Sequence, residues 1–359
     1  MRPGVNEFKR AASDMGVRKD YRNLSVAEGA RFIEALKHVK SRGVVDDFAR
    51  VHERHFNMGI HRSSHFLPWH REFLLRFEQE LKQFDARVDI PYWDSSVDRS
   101  TSASLWDNDF LGQFNAAWRL NRALGSATLP SPQAVQNNQQ RSSYATFWDE
   151  LEVSIHNPPH RWVGGAMAQA DSPRDPVFYL HHAWIDLLWA TWQAAHPNTP
   201  FVASGPGLGL NSPLMEWPNR TPADVIDHHA LGYAYDIEPV PGGPVASGDD
   251  MQPDEVLGAG QAISSANGRF TFVYEGDGNL VLYGPGGALW ASNTNGQPVG
   301  GAIMQGDGNL VIYGPGSLYV WDSATDGNPG SRLVVQDDGT VVIYRPDGTP
   351  AWATNTVTP

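Results

Sequence analysis

The chain of 359 residues has no cysteine. Disulfides are excluded, and thiolate is removed as a metal ligand, which leaves imidazole as the good ligand for copper or zinc. Absence of cysteine fits any compartment. Basic residues are scarce, 27 Lys and Arg against 40 Asp and Glu, for a formal net charge of −13. That balance argues against nucleic acid or an anionic membrane surface as partner, because both need basic patches. There is no apolar run of about 18 residues, so no transmembrane helix is expected. Met1 to Arg10 is polar and lacks the apolar core of a signal peptide. Either the protein stays inside, or export relies on a partner protein, or a signal is missing from this sequence. What the chain does have is 13 tryptophans and a hydrophobic fraction of 41%. That is enough for a buried core, in one large domain or two ordinary ones.

Histidine is unevenly placed. All 13 lie between His38 and His229, and none lies in the last third. Three clusters stand out: His61-Arg62-Ser63-Ser64-His65-Phe66-Leu67-Pro68-Trp69-His70, His156-Asn157-Pro158-Pro159-His160, and Asp175-Pro176-Val177-Phe178-Tyr179-Leu180-His181-His182. Set among aromatic and apolar residues, they supply enough imidazoles for two metal ions, three each.

The first two thirds read as helical. Ser25-Val26-Ala27-Glu28 is a capping box, followed by Phe32, Ile33, Leu36 and Val39 at helical spacing, with Gly43 as the stop. A second helix carries Phe48, Val51 and His52. A third is expected to start at Pro68 and run through Phe73, Leu74, Phe77 and Leu81, with His70 on the same inward face. A fourth, from about Pro176 to Ala195, carries His182 with Phe178, Ile185 and Trp189. Helices that point histidines at a common centre are how bundles build dinuclear sites.

From about Ile237 the composition shifts to Pro, Gly, Ser and Asp, so residues 1–237 are expected to form the helical domain and 238–251 a linker. In 252–359 one pattern occurs three times, as Glu275-Gly276-Asp277-Gly278-Asn279-Leu280-Val281-Leu282-Tyr283, Gln305-Gly306-Asp307-Gly308-Asn309-Leu310-Val311-Ile312-Tyr313 and Gln336-Asp337-Asp338-Gly339-Thr340-Val341-Val342-Ile343-Tyr344. Trp290, Trp321 and Trp352 recur in step. Period-2 alternation with Gly/Asp turns, repeated about every 30 residues, means a β-unit sharing one core, with the tryptophans meeting at its centre.

The first domain resembles the compact bacterial tyrosinases across nearly its whole length. The resemblance rests on the histidine clusters, on Asp46-Asp47-Phe48-Ala49-Arg50-Val51-His52, and on Pro91-Tyr92-Trp93-Asp94, Trp162-Val163-Gly164-Gly165 and Tyr233-Ala234-Tyr235. It implies one copper on His52, His61 and His70 and a second on His156, His160 and His182. The result is a type-3 centre that uses O2 to hydroxylate a phenol ortho to its hydroxyl and to oxidise the catechol to a quinone, the chemistry of melanin biosynthesis. Three neutral imidazoles per ion leave each an open position, and the protein adds ligand geometry, a dry pocket and ring orientation. Periodicity alone does not choose between His181 and His182; the resemblance chooses His182 and leaves His181 behind it, with Asp186 expected to help fix a ligand tautomer. His38, His196, His228 and His229 read as surface or capping residues. Two departures bear on pocket shape: the prolines between His156 and His160, and the short loop that brings in His61.

In tyrosinases a Glu upstream of the second site and the Asn after its first histidine hold a water that deprotonates the phenol. These fall on Glu152 and Asn157, and a carboxylate holding a water is a sensible base for a group of pKa near 10. The bland alternative makes Glu152 an exposed helix residue and Asn157 a cap. Arg161 is a candidate guide for a substrate carboxylate.

The repeats resemble the Gln-x-Asp-x-Asn-x-Val-x-Tyr motif of bulb-type, monocot mannose-binding lectins, which implies a β-prism of three subdomains. The copy Gln305, Asp307, Asn309, Val311, Tyr313 is complete. The first keeps Asp277, Asn279 and Tyr283 but has Glu275 for Gln, and the third has Thr340 for Asn. A mannose-type glycan is the partner this implies, and preservation for architecture alone is the rival. The expected whole is an α-helical copper domain followed by an all-β, lectin-like β-prism. It would act on a small phenolic substrate, and the module favours an extracellular setting. A copper-delivery or export partner is a further expectation. Rival functions are a catechol or o-aminophenol oxidase without monophenol hydroxylation, and a non-catalytic oxygen- or carbohydrate-binding protein.

Overall fold

The computed structural model describes residues 15–237, 246, 248–297, 299–314 and 318–358. Its contacts divide into a helical unit, Gly16–Tyr233, and a second unit that takes up the chain from Ala234.

In the helical unit, α1 (Val26–Ser41) opens with the expected capping box. Ser25 accepts the Glu28 amide, and Glu28 Oε2 accepts the Ser25 amide at 2.8 Å. Phe32, Ile33, Leu36 and Val39 are buried along its inner face. Gly43, at φ +80°, turns the chain into α2 (Val44–His55), which buries His52. Helix α3 (Phe66–Phe84) begins two residues before Pro68. The proline still lies in the first turn, where amides have no intrahelical partner, so it does not force the start. Helix α4 (Tyr144–Glu150) continues through a π-helical turn, Leu151–His156, into α5 (Asn157–Val163). The prolines explain that turn. Pro158 and Pro159 have no N–H for the carbonyls of Ser154 and Ile155, and the Asn157 amide reaches back five residues to Glu152 instead.

Helix α6 (Val177–Ala195) is buried all round, with fifteen of its nineteen residues enclosed rather than a single stripe. This is why spacing cannot separate His181 from His182. It packs on α3, with the Tyr179 and Phe77 rings stacked at 3.6 Å between centroids. Asp186 of α6 is held by Arg71 of α3 at 2.6 Å, by Arg18 at 3.3 Å and by the Tyr233 hydroxyl at 2.6 Å. Arg18 also bonds Glu78 at 2.9 Å. The expected role of Asp186 in fixing a ligand tautomer therefore does not appear, and His182 Nδ1 has no hydrogen-bond partner; the carboxylate is committed to two guanidinium groups, whose charge attracts it more strongly than a neutral ring. His228, expected as a surface or capping residue, stands at the N-cap position of the short helix His229–Leu231 and is buried beside His229 and Tyr233. Among the described residues no helix is long and apolar enough to cross a membrane.

Most of the span read as linker, residues 238–245 and 247, lies outside the described residues. Its end does not behave as a linker: Asp250–Met251 is a strand, with Met251 buried and paired to Leu333. The second unit holds three four-stranded antiparallel sheets. One is a meander of Ala262–Ser264, Thr271–Tyr274, Leu280–Gly284 and Gly287–Ala291. The second joins Gly301–Met304, Leu310–Gly314 and Leu318–Asp322 to Val256–Gly258. The third joins Arg332–Val335, Val341–Tyr344 and Pro350–Ala353 to Asp250–Met251. Alternate residues of all three, such as Leu280 and Leu282, Leu310 and Ile312, Val341 and Ile343, form one shared core. Trp290, Trp321 and Trp352 meet edge-to-face at 5.5–6.1 Å between centroids, partly buried against that core. Each repeat turns at a glycine of positive φ, Gly278, Gly308 and Gly339, and carries a bulge just before its tyrosine. This is a β-prism.

Candidate dinuclear metal centre

His52 on α2, His61 in the loop after it and His70 on α3 bring one ring nitrogen each within 4.8 Å of one another. In the second set, His156 ends the π-turn, His160 lies one turn into α5 and His182 is on α6. The Nε2 atoms of these three lie 3.0, 3.2 and 3.3 Å apart. The sets adjoin, with the His70 and His182 rings stacked at 4.5 Å.

The tautomers follow from the acceptors. His52 Nδ1 lies 2.7 Å from the Ala170 carbonyl, His70 Nδ1 2.7 Å from that of Phe66, and His160 Nδ1 2.7 Å from that of Met167. His156 Nδ1 lies 3.1 Å from Asn157 Oδ1. An oxygen that can only accept requires a proton on each Nδ1, which leaves each Nε2 as a bare lone pair. His156 and His160 therefore face each other at 3.0 Å with no hydrogen between them. His52 Nε2 and His70 Nε2 are buried without a hydrogen-bond partner. Lone pairs so placed repel, and buried unpaired nitrogens are costly, unless a cation sits among them. The face of a tetrahedron around an ion bound at 2.0–2.1 Å has edges of roughly 3.3 Å, close to the second set's spacing. Burial pushes all six imidazoles down, His61 and His160 to about 4, so the rings are neutral and ready to ligate.

His181 also brings a nitrogen within 4.8 Å of His156 and His160. Its Nε2, however, is bonded to the His156 carbonyl at 3.0 Å, whereas His182 Nε2 faces both partners directly. The geometry favours His182, with His181 bracing the backbone of His156. Other nearby histidines are engaged elsewhere, His55 with Glu216 at 2.7 Å and His65 with the Gly209 carbonyl at 3.1 Å.

The Trp162-Val163-Gly164-Gly165 motif has a local reason. Gly164 and Gly165 take φ of +68° and +56°, and a Cβ on Gly165 would lie 2.2 Å from the Leu120 carbonyl oxygen. The glycines swing the chain round so that the carbonyls of Met167 and Ala170 reach His160 and His52. No spacing rule in the sequence pointed to those two carbonyls.

Four of these histidines, His52, His61, His156 and His160, line a cavity of about 590 Å³ with Glu152, Asn157, Arg161, Phe56, Met167 and Leu208. Glu152 is not an exposed helix residue: it is 3% exposed, and burial raises its carboxyl to about 7. Its Oε2 accepts the Arg62 backbone N–H at 2.7 Å. Asn157 commits its amide oxygen to His156. Arg161 is exposed on the lining, with no ion pair among the described residues.

The common central domain of tyrosinase matches residues 42–133 and 111–195. The tyrosinase of Streptomyces antibioticus is 39% identical over 275 residues, which is 62% of this chain and all of that protein. The chain belongs to the tyrosinase family. The tyrosinase of Streptomyces glaucescens is 38% identical over all of its own length, and the grixazone synthase of Streptomyces griseus 30% over 99% of its length. As a family member the chain is a type-3 copper oxidase, and its cofactor is a pair of copper ions, which supply electron exchange with O2. The donor set fits them: neutral, buried, pre-oriented imidazoles with open lone pairs.

In the second unit, a monocot mannose-binding lectin from Gastrodia elata is 39% identical over 31% of this chain and 99% of that one, at a TM-score of 0.29. A mannose-specific snowdrop agglutinin, also 39% identical over 31% and 99%, has a TM-score of 0.26. In the complete repeat Gln305 Nε2 donates to the Tyr313 hydroxyl at 3.2 Å, and Asn309 Nδ2 to Asp322 at 2.9 Å. Asn309 Oδ1 accepts from Ser323 and Thr325, as Asn279 Oδ1 does from Ser292 and Thr294. Asp277, Asp307 and Asp338 each accept the amide two residues on, at 2.9–3.0 Å. That turn persists where Thr340 replaces Asn, so part of the motif serves the turn itself. Tyr283 donates to Glu275 at 2.9 Å. Val311 is 2% exposed and lies outside the central core.

Proposed function

We propose that the chain hydroxylates monophenols at the ortho position and oxidises the resulting o-diphenols to o-quinones. One copper would be held by His52, His61 and His70 and the other by His156, His160 and His182. The observation that carries the hydroxylase step is Glu152: a buried carboxyl raised to about 7, on the lining of the same cavity as four of those histidines. A base is most useful with a pKa near the working pH, and copper, being cationic, would favour the carboxylate form. Glu152 would take the phenol proton through a held water, Asn157 would steady His156, and Arg161 would meet an anionic group on the substrate at the mouth. In copper-loaded protein given tyrosine and then catechol, both should turn over. Glu152→Gln should depress monophenol turnover by about 10²–10⁴-fold and diphenol turnover far less. Equal losses would remove Glu152 from the hydroxylation step, and catechol turnover alone in the unaltered protein would make the enzyme a catechol oxidase.

We propose further that the β-prism binds a mannose-type glycan at its complete repeat, through Gln305, Asp307 and Tyr313. The support is the hydrogen bond from Gln305 Nε2 to the Tyr313 hydroxyl at 3.2 Å, an interaction that sugar hydroxyls can replace. In glycan binding, Tyr313→Phe should weaken mannose by about tenfold, the worth of one hydrogen bond, without lowering the melting temperature. A module that ignores millimolar mannose would leave the repeats as architecture.

A further inference from the structure

Of the five histidines whose Nδ1 meets an oxygen acceptor, His61 makes the longest contact. It comes from the loop between α2 and α3 and is partly exposed, and its Nδ1 lies 3.4 Å from the Phe56 carbonyl, against 2.7 Å for the corresponding contacts of His52, His70 and His160. The next residue, Arg62, has φ +53°, a left-handed conformation that a side chain-bearing residue adopts at a cost. Its side chain is exposed, so packing of that side chain does not hold the turn. What does meet it is Glu152: the Arg62 N–H donates to Glu152 Oε2 at 2.7 Å, a charge-assisted bond to a buried carboxylate. Glu152 stands on the π-turn that ends in His156, so the segment supplying the second set of histidines also reaches across to the loop of the first.

We propose that Glu152 is a positioning residue for His61: its carboxylate clasps the left-handed backbone at Arg62 and thereby delivers His61 to His52 and His70. The role is separate from proton transfer, because the clasp uses Oε2 alone, while Glu152 also lines the cavity. It also explains why a π-turn is useful there, since one turn then carries both His156 and the clasp. The inference rests on His52, His61 and His70 sharing one ion.

The test is copper affinity rather than turnover, measured by titrating metal-free protein with copper against a competing chelator. Glu152→Ala should weaken one of the two ions by about 10–100-fold, as loss of a ligand's supporting contact does, and leave the other unchanged. Glu152→Gln keeps an accepting oxygen and should bind both ions within about twofold of the unaltered protein. Glu152→Asp keeps the charge but draws the carboxylate back by one methylene, and should lose the same ion; it serves if the alanine variant does not fold. Adding Arg62→Gly to the weakened variant should recover most of the lost affinity, because glycine takes positive φ freely. Adding Arg62→Ala should not. Two ions bound normally by both Glu152→Ala and Glu152→Asp would overturn the clasp, as would recovery that fails with glycine or succeeds equally with alanine. His61→Ala separates the two ideas: if it keeps both ions, the ligand assignment is what fails.

Discussion

At the scale of single residues, the centre is a problem in directing lone pairs. A histidine offers two nitrogens, and fixing the proton on one decides where the other points. His52, His70 and His160 are fixed by carbonyls at 2.7 Å. His182 is the exception, since its Nδ1 is buried without a hydrogen-bond partner. Its ring is held by stacking instead, on Phe178 at 4.0 Å and on His70 at 4.5 Å. Its neighbour His181 is tied to the His156 carbonyl, and that difference yields a prediction. His182→Ala should bind one copper per chain and lose nearly all oxidase activity. His181→Ala should still take up two at saturating copper, with affinity reduced by about 10–100-fold, because it removes a brace and not a ligand. Elemental analysis of the two purified variants decides the matter. The reverse pattern, with one ion in His181→Ala and two in His182→Ala, would exchange their roles.

At the scale of elements, what was legible in the sequence had a local cause. The capping box at Ser25 and Glu28 and the inward stripe of α1 follow from hydrogen bonding and from 3.6-residue periodicity, which neighbours four residues apart are enough to express. The β repeats announced themselves for the same reason, their Asp–Gly turns and alternate apolar residues being local instructions. The identity of the six histidines came from motif resemblance, and the structure brings each trio together. Less legible were features that depend on a partner far along the chain. The residues around Leu151–His156 look helical, and the widening of that turn follows only from the missing amides of Pro158 and Pro159 acting on carbonyls four residues earlier. The carbonyls that orient His52 and His160 belong to a loop shaped by Gly164 and Gly165 against Leu120. Asp186 looked like a partner for a histidine one turn earlier on α6. It went instead to Arg71 and Arg18, because burying those guanidinium groups unpaired would cost several kcal/mol. The Arg71–Asp186 pair joins α3 to α6 one residue after His70 and one turn after His182, so an ion pair needed for burial also ties together helices from both halves of the centre.

At the scale of the whole molecule, the chain carries two cores of different kinds, and all the metal chemistry belongs to one of them. The helical unit closes at Tyr233, whose hydroxyl bonds Asp186 and whose ring lies under Arg18 at 3.7 Å. Every candidate ligand precedes that residue, and so does every carbonyl that orients one. The β-prism has its own core, from Ala246 to Ile343, with no histidine in it. The β-prism thus buries its apolar residues against one another, a condition for folding alone. A chain ended after Gly248 keeps Tyr233 and the residues just beyond it and removes all twelve strands of the three sheets. It should therefore remain soluble and helical and bind the same two copper ions per chain as the full-length protein. Copper analysis together with circular dichroism checks this. If the shortened protein folds but binds fewer than two ions, residues beyond Gly248 contribute to the centre. If it fails to fold, the helical unit depends on the β-prism despite having a core of its own.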